Sequence, residues 1–362
     1  MEFTALPCAV SFFLITLSRA KGPYYMNEHK KAESAILTTG IGSLPFTTVA
    51  EAVNFIKGFD IPFWPQLPKI TYMENMYIQY AEGLPFSVID SEKQNIHFKL
   101  DSPDAGELED FYEKVLGEDL DYFAISKDRA AALHAILEDP LPVKAIKGQI
   151  VGPVSFGLTV TDENKKPVFY HDVFKEILVK GLTLKARWMI RELKKAYGKV
   201  YLFIDEPYLS QIGSAFVTLD PEEVKAFLKE MLDEINKEAV SGIHCCGETD
   251  WSLLLDLPFK ILSFDSYNYS LLPFAGKLNN FLENGGQILF GAVPAEKLIS
   301  QLSADEIKKK IDTEMEVLVK AGVNGELLMK NMMFSPSCGL ATLGPDQLSA
   351  VMKMLNHLKS GL

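Results

Sequence analysis

From Ala35 onward the chain alternates short apolar, β-rich runs with amphipathic helical stretches, and no other feature constrains its fold as tightly. Eight candidate strands stand out: Ile36–Thr39, Ile61–Trp64, Ala145–Val151, Val200–Ile204, Gly242–Cys245, Ile261–Phe264, Gln287–Gly291 and Met332–Phe334. Between them, Glu107–Leu116, Arg129–Leu137, Val173–Tyr197, Pro221–Ala239 and Ala304–Ala321 carry apolar residues at three- and four-residue spacing, the signature of a helix with one buried face. Asp220-Pro221-Glu222-Glu223 is a good helix start, with a capping Asp, Pro in the first turn and acids near the positive end. Ser303-Ala304-Asp305-Glu306 repeats that logic. Strands that alternate with helices pair in parallel, and eight such units predict an α/β fold, a (β/α)8 TIM barrel. A doubly wound open sheet is the alternative, weakened because no Gly-x-Gly-x-x-Gly follows the first strand. Residues 66–140 are too long for one unit and predict a helical insertion near the barrel mouth. No linker or duplicated half interrupts residues 34–362, which are expected to form one barrel domain.

Residues 1–33 read differently. An apolar stretch from Leu6 to Leu17 is too short to span a bilayer. It resembles the apolar part of an export signal, but Glu2 is the only charge before it and no basic region precedes it. Met26 opens an ordinary polar start, so a leader or tail ahead of a downstream start is expected. No other segment reads as transmembrane. The net charge of −12 repels phosphate surfaces, which argues against a nucleic-acid or anionic-membrane partner. Arginine is confined to Arg19, Arg129, Arg187 and Arg191, too few for a substrate rich in carboxylates or phosphates. Four cysteines, Cys8, Cys245, Cys246 and Cys338, make no disulfide framework and fit a reduced, cytoplasmic setting.

The polar residues of interest fall at the C-terminal ends of the candidate strands, the catalytic face of a barrel. Ser43 follows the first, Asp205-Glu206 the fourth, His244-Cys245-Cys246 the fifth, Asp265 the sixth and Cys338 the eighth. On extended backbone, residues two apart point the same way, so His244 and Cys246 can reach one ion while Cys245 points to the other side. With Cys338 from another strand end, one imidazole and two thiolates make a zinc site with room for an incoming ligand. The competing reading is a pair of small buried cysteines beside a satisfied core histidine. Asp265 is the best-placed carboxylate for a fourth ligand, with Glu248 second. Asp205 and Glu206 can bind a substrate ammonium in a dry pocket. The glycines of Gly40-Ile41-Gly42-Ser43 let backbone amides approach a substrate carboxylate.

Taken together, Ile41-Gly42-Ser43, Ile204-Asp205-Glu206-Pro207, His244-x-Cys246 and Cys338-Gly339-Leu340 resemble, in order and spacing, the catalytic C-terminal barrel of cobalamin-independent methionine synthase. The resemblance covers roughly Leu37 to Leu362, and Cys246-Gly247-Glu248-Thr249 is similar to the wider uroporphyrinogen decarboxylase-like superfamily, with its zinc methylcobamide:coenzyme M methyltransferases. It implies a Zn2+ ion on His244, Cys246 and Cys338, with Asp265 where the family has a glutamate ligand. It also implies homocysteine as acceptor, its amino group on Asp205 and its carboxylate held with help from Ser43.

Three departures shape the functional expectation. The chain is too short for the additional N-terminal barrel of the folate enzyme. The histidine proton donor expected after the seventh strand is absent, the stretch there reading Gly291-Ala292-Val293-Pro294-Ala295-Glu296. A glutamate used for the substrate amine is replaced around Gln66. A methyl group on a folate nitrogen needs a general acid to leave, whereas one on a corrinoid cobalt does not. The expectation is therefore a short zinc methyltransferase that forms methionine from homocysteine. A methylcorrinoid such as methylcobalamin is the expected donor, delivered by a corrinoid carrier protein. The alternatives are another thiol acceptor such as coenzyme M, or a uroporphyrinogen decarboxylase-like enzyme.

Overall fold

A computed structural model describes residues 36–213 and 217–361; the leader expected over residues 1–33 lies outside them. Ten strands follow in chain order: β1 Leu37–Thr38, β2 Ser87–Asp90, β3 Asn95–Phe98, β4 Ala145–Val151, β5 Thr161–Asp162, β6 Lys199–Asp205, β7 Val240–Cys245, β8 Ile261–Phe264, β9 Gln287–Val293 and β10 Met332–Pro336. Seven of them form a curled sheet in the order β1-β10-β9-β8-β7-β6-β4, and every pairing in it is parallel. Helices connect these strands, as a parallel ladder requires.

The sheet has seven strands where eight were expected. The missing one, Ile61–Trp64, is extended but makes only isolated bridges, Phe63 to Lys147 of β4 and Gln66 to Ser43 beyond β1. Its Ile61 amide donates to Thr38 at 3.0 Å on one side, and its Trp64 amide donates to Lys147 at 3.1 Å on the other. The segment thus touches both edge strands. Pro62 and Pro65 carry no N–H, which breaks any continuous ladder through it.

The insertion is also less helical than its length suggested. It holds the helices Met76–Tyr80, Ala105–Leu116 and Ala131–Glu138. It also holds an antiparallel hairpin, β2 with β3, which β5 extends in parallel. Those strands are four residues or shorter and only partly buried, so they leave no strong period-two signal. Elsewhere the local chemistry works as read. Asp220 accepts a hydrogen bond from the Glu222 amide at the start of the helix Pro221–Ile235. Ser303 and Glu306 form a reciprocal capping box at the start of Ala304–Lys320.

The curled interior is what positions the site. At its foot Ile61, Tyr201, Phe203, Ile261, Leu289 and Met333 pack together with Leu37, Ala145 and Val240. Burying each large side chain there contributes about 1.5–3 kcal/mol. Residues two apart along a strand share a face, so the same interior rows can be followed toward the C-terminal ends. The rows run Ala145–Lys147–Gln149, Tyr201–Phe203–Asp205, Val240–Gly242–His244, Ile261–Ser263–Asp265 and Met333–Ser335. Each starts apolar and ends on a buried polar group. No helix among the described residues is long and apolar enough to cross a membrane.

Candidate metal centre

His244 ends the β7 row and is 3% exposed. Its Nδ1 lies 2.9 Å from Ser263 Oγ on β8, a contact made possible by the parallel register that pairs His244 with Ser263. That leaves Nε2, which is buried and has no well-formed hydrogen-bond partner. Cys246 lies just past β7 and Cys338 just past β10, and one ligand atom from each of the three residues lies within 4.8 Å of the others. Cys246 donates its thiol proton toward Cys338, which pulls Cys338 well below the ordinary thiol range, helped by His244 and opposed by burial. The same sharing, together with burial, pushes Cys246 up. The pair therefore holds its first negative charge easily and its second with difficulty, because two thiolates side by side repel.

The donor set fits a metal ion. One imidazole and two thiols are soft ligands of the kind zinc favours, and an orphaned buried nitrogen beside them is the atom an ion would satisfy. With Nε2 on an ion, Nδ1 would carry the proton and donate to Ser263, which would orient the ring. An ion held by these three residues would have room for a further, incoming ligand.

The other expected residues divide. Cys245 points away, as the alternation requires: its Sγ is 2.9 Å from Thr249 Oγ1. Asp265 is not one of the three ligands brought together. Its Oδ1 accepts from the amides of Tyr267 and Asn268, both at 3.0 Å, and its Oδ2 accepts from Asn268 Nδ2 at 2.8 Å, so it ties down its own loop. Burial and nearby Cys338 push its carboxyl up, which puts it close to the group. Glu248 is exposed. Glu206 is fully buried and its oxygens accept from Val154 N, Ser155 N and Ser155 Oγ at 2.5–3.0 Å, capping the helix Pro153–Thr159. Gly152 makes room for this, since a methyl group there would run into the Glu206 carboxyl. Asp205, its neighbour, is different. It is buried, pushed up to about 6 chiefly by desolvation, and its Oδ1 has no partner.

Ser43 lies against the Gly339-Leu340 turn that follows Cys338. Its carbonyl accepts from the Leu340 amide at 2.8 Å, and any side chain at Gly339 would collide with its hydroxyl. Gln66 is buried and spent on structure: its Nε2 donates to Gln79 Oε1 at 2.6 Å and its amide to Gly42 at 3.3 Å. Two residues escaped the sequence reading. Ser263 lies against the histidine ring, and Lys147 is a buried charge neighbour of Asp205. A lysine alternating with apolar residues inside a parallel strand was the available signal for Lys147, because such strands are apolar on both faces.

No protein-family model matches the sequence, and no curated protein matches it. Solved structures do match in fold. A methyltransferase from Methanosarcina mazei is 15% identical over 90% of this chain and 94% of its own, with a TM-score of 0.52. A B12-independent methionine synthase from Shewanella sp. W3-18-1, in complex with selenomethionine, is 12% identical over 90% of this chain and 97% of its own, with a TM-score of 0.50. At these identities the likeness is one of fold: the chain has the parallel α/β architecture of these methyltransferases along nearly their whole length.

Proposed function

We propose that this protein is a zinc-dependent methyltransferase that methylates the thiol of homocysteine to give methionine. The observation that carries the reading is the convergence of His244, Cys246 and Cys338 from two strand ends, with a buried Nε2 that has no hydrogen-bond partner among the described residues. Bound by these residues, a zinc ion would lower the pKa of a substrate thiol and hold it as a nucleophilic thiolate. The chain's own residues account for the rest of the acceptor. The free Asp205 oxygen suits an ammonium, and the Ser43 loop suits a carboxylate. Ser263 keeps the His244 ring turned toward the thiols. The fold likeness to two methyltransferases supports the reaction class. We also read the segment Ile61–Gln66 as the eighth stave of a closed barrel, supported by its hydrogen bonds to both sheet edges. Asp265 serves in this reading as a carboxylate beside the ion, its loop bonds holding it at that distance.

The donor in this reading is a methylcorrinoid, because the end of β9 offers no histidine as proton donor. Chain length carries no weight in that choice, since the Shewanella protein described as B12-independent is covered over 97% of its own length. A reducing cytoplasm is the compartment that two free ligand thiols need.

The test is methionine formation by zinc-loaded protein from homocysteine, with methylcobalamin and methyltetrahydrofolate offered in parallel. Methionine from either establishes the reaction, and which donor works decides the carrier. Protein with one zinc per chain that yields no methionine from either would overturn the acceptor assignment; coenzyme M as acceptor is then the next assay.

A further inference from the structure

Lys147 is the least expected residue of the interior. It is 1% exposed, in the middle of β4, and its hydrogen bonds among the described residues go to amide oxygens, not to a carboxylate. Its ammonium donates to the Ile41 carbonyl at 2.6 Å and to Gln149 Oε1 at 3.4 Å, and lies 4.7 Å from the centre of the Phe203 ring. Gln149 is itself locked: its Nε2 donates to the Trp64 carbonyl at 2.9 Å, and its carbonyl accepts from Tyr80 Oη at 2.5 Å. Burying a cation carries a desolvation penalty that a methionine of similar length would not.

Two things depend on where that cation sits. The first is the Gly40–Ser43 loop, held at three successive carbonyls: Ile41 by Lys147, Gly42 by the Gln66 amide and Ser43 by the Leu340 amide. The second is Asp205, which shares the interior rows with Lys147 and whose carboxyl the Lys147 charge pulls back down against desolvation. Burial pulls Lys147 down to about 8, which leaves it a cation at neutral pH.

Resting on the homocysteine reading above, we propose that Lys147 is a positioning residue that makes the site select zwitterionic amino-acid thiols over plain thiols. It anchors the Ser43 loop, which faces the acceptor carboxylate, and it lies beneath Asp205, which faces the acceptor ammonium. The two halves of the head-group site are thereby set at a fixed spacing by one buried charge.

The experiment compares Lys147→Met with wild type in two readouts. In metal-free protein, calorimetry measures binding of methionine and of methyl propyl sulfide, which lacks both the ammonium and the carboxylate. In zinc-loaded protein, steady-state kinetics compare homocysteine with 1-propanethiol. The expected result is a 10- to 100-fold weaker binding of methionine and an equal rise in KM for homocysteine. The zinc content and both measurements with the compounds that lack the head group stay within about 2-fold. Equal losses with both compounds, or loss of zinc, would show a merely structural role and overturn the inference. Wild-type protein that binds methionine no better than methyl propyl sulfide would overturn it without any variant, which covers the case in which Lys147→Met does not fold. Wild-type protein that methylates neither thiol would instead sink the functional reading itself.

Discussion

The foot and the mouth of the curled sheet are built on the same strands, a few residues apart, and obey opposite rules. At the foot, Ile61, Tyr201, Ile261, Leu289 and Met333 pack without a polar atom to satisfy among the aliphatic side chains. At the mouth, the same rows end on His244 Nε2 and Asp205 Oδ1, buried atoms with no partner. A polar group buried without a partner would cost roughly 1–3 kcal/mol, so these are atoms that a bound ion or substrate would satisfy. The foot is built to pack, and the mouth is built to present polar atoms.

That division can be broken by substitution. The largest effect is expected from Cys338→Ser: zinc retention is lost, and methyl transfer falls at least ~1000-fold, while the melting temperature of the metal-free protein barely moves. Metal analysis and turnover check this together; activity that survives complete zinc loss would sink the mechanism. Leu289→Ala at the foot is the mirror image, with a loss of about 2–5 kcal/mol in urea unfolding and one zinc per folded chain retained. A foot variant that loses zinc while still folded would show the two regions are not separable.

Asp205→Asn sharpens the comparison within the mouth. It is expected to lower kcat/KM for homocysteine about 100-fold, near 2.7 kcal/mol, with stability unchanged or raised because a buried charge is removed. Its neighbour should behave as a foot residue, since every oxygen of Glu206 is already used: Glu206→Gln costs about 1–3 kcal/mol of stability and little turnover. Smallest is Ser263→Ala, which frees the His244 ring and weakens zinc binding roughly 10- to 100-fold, readable by competition with a chelating dye.

Much of this was legible in the residues, and unevenly so. Seven of the eight candidate strands form the parallel sheet, because long buried strands must be apolar and their helices carry their own caps. His244 and Cys246 could be paired by the two-residue repeat alone, and Cys338 joined them because parallel strands end on one side. The hairpin β2–β3 was not legible, being short and half exposed. Nor were the different fates of Asp205 and Glu206. Both are acids at one strand end, and only the helix at Pro153 decides which is consumed. Lys147 was passed over because a lone lysine in a chain with 36 Lys and Arg draws no notice until its burial is known.

The two prolines between β1 and β4 have a consequence in time. Where other neighbouring strands share longer ladders, the stretch from Ile61 to Gln66 is joined to the sheet through isolated bridges, and β1 beside it is two residues long. Amide exchange there should outrun exchange in β6 and β7, whose neighbours bond them on both flanks. The Ser43 backbone borders that seam through its bridge to Gln66, so breathing of the sheet begins beside the place where the acceptor's head group would rest.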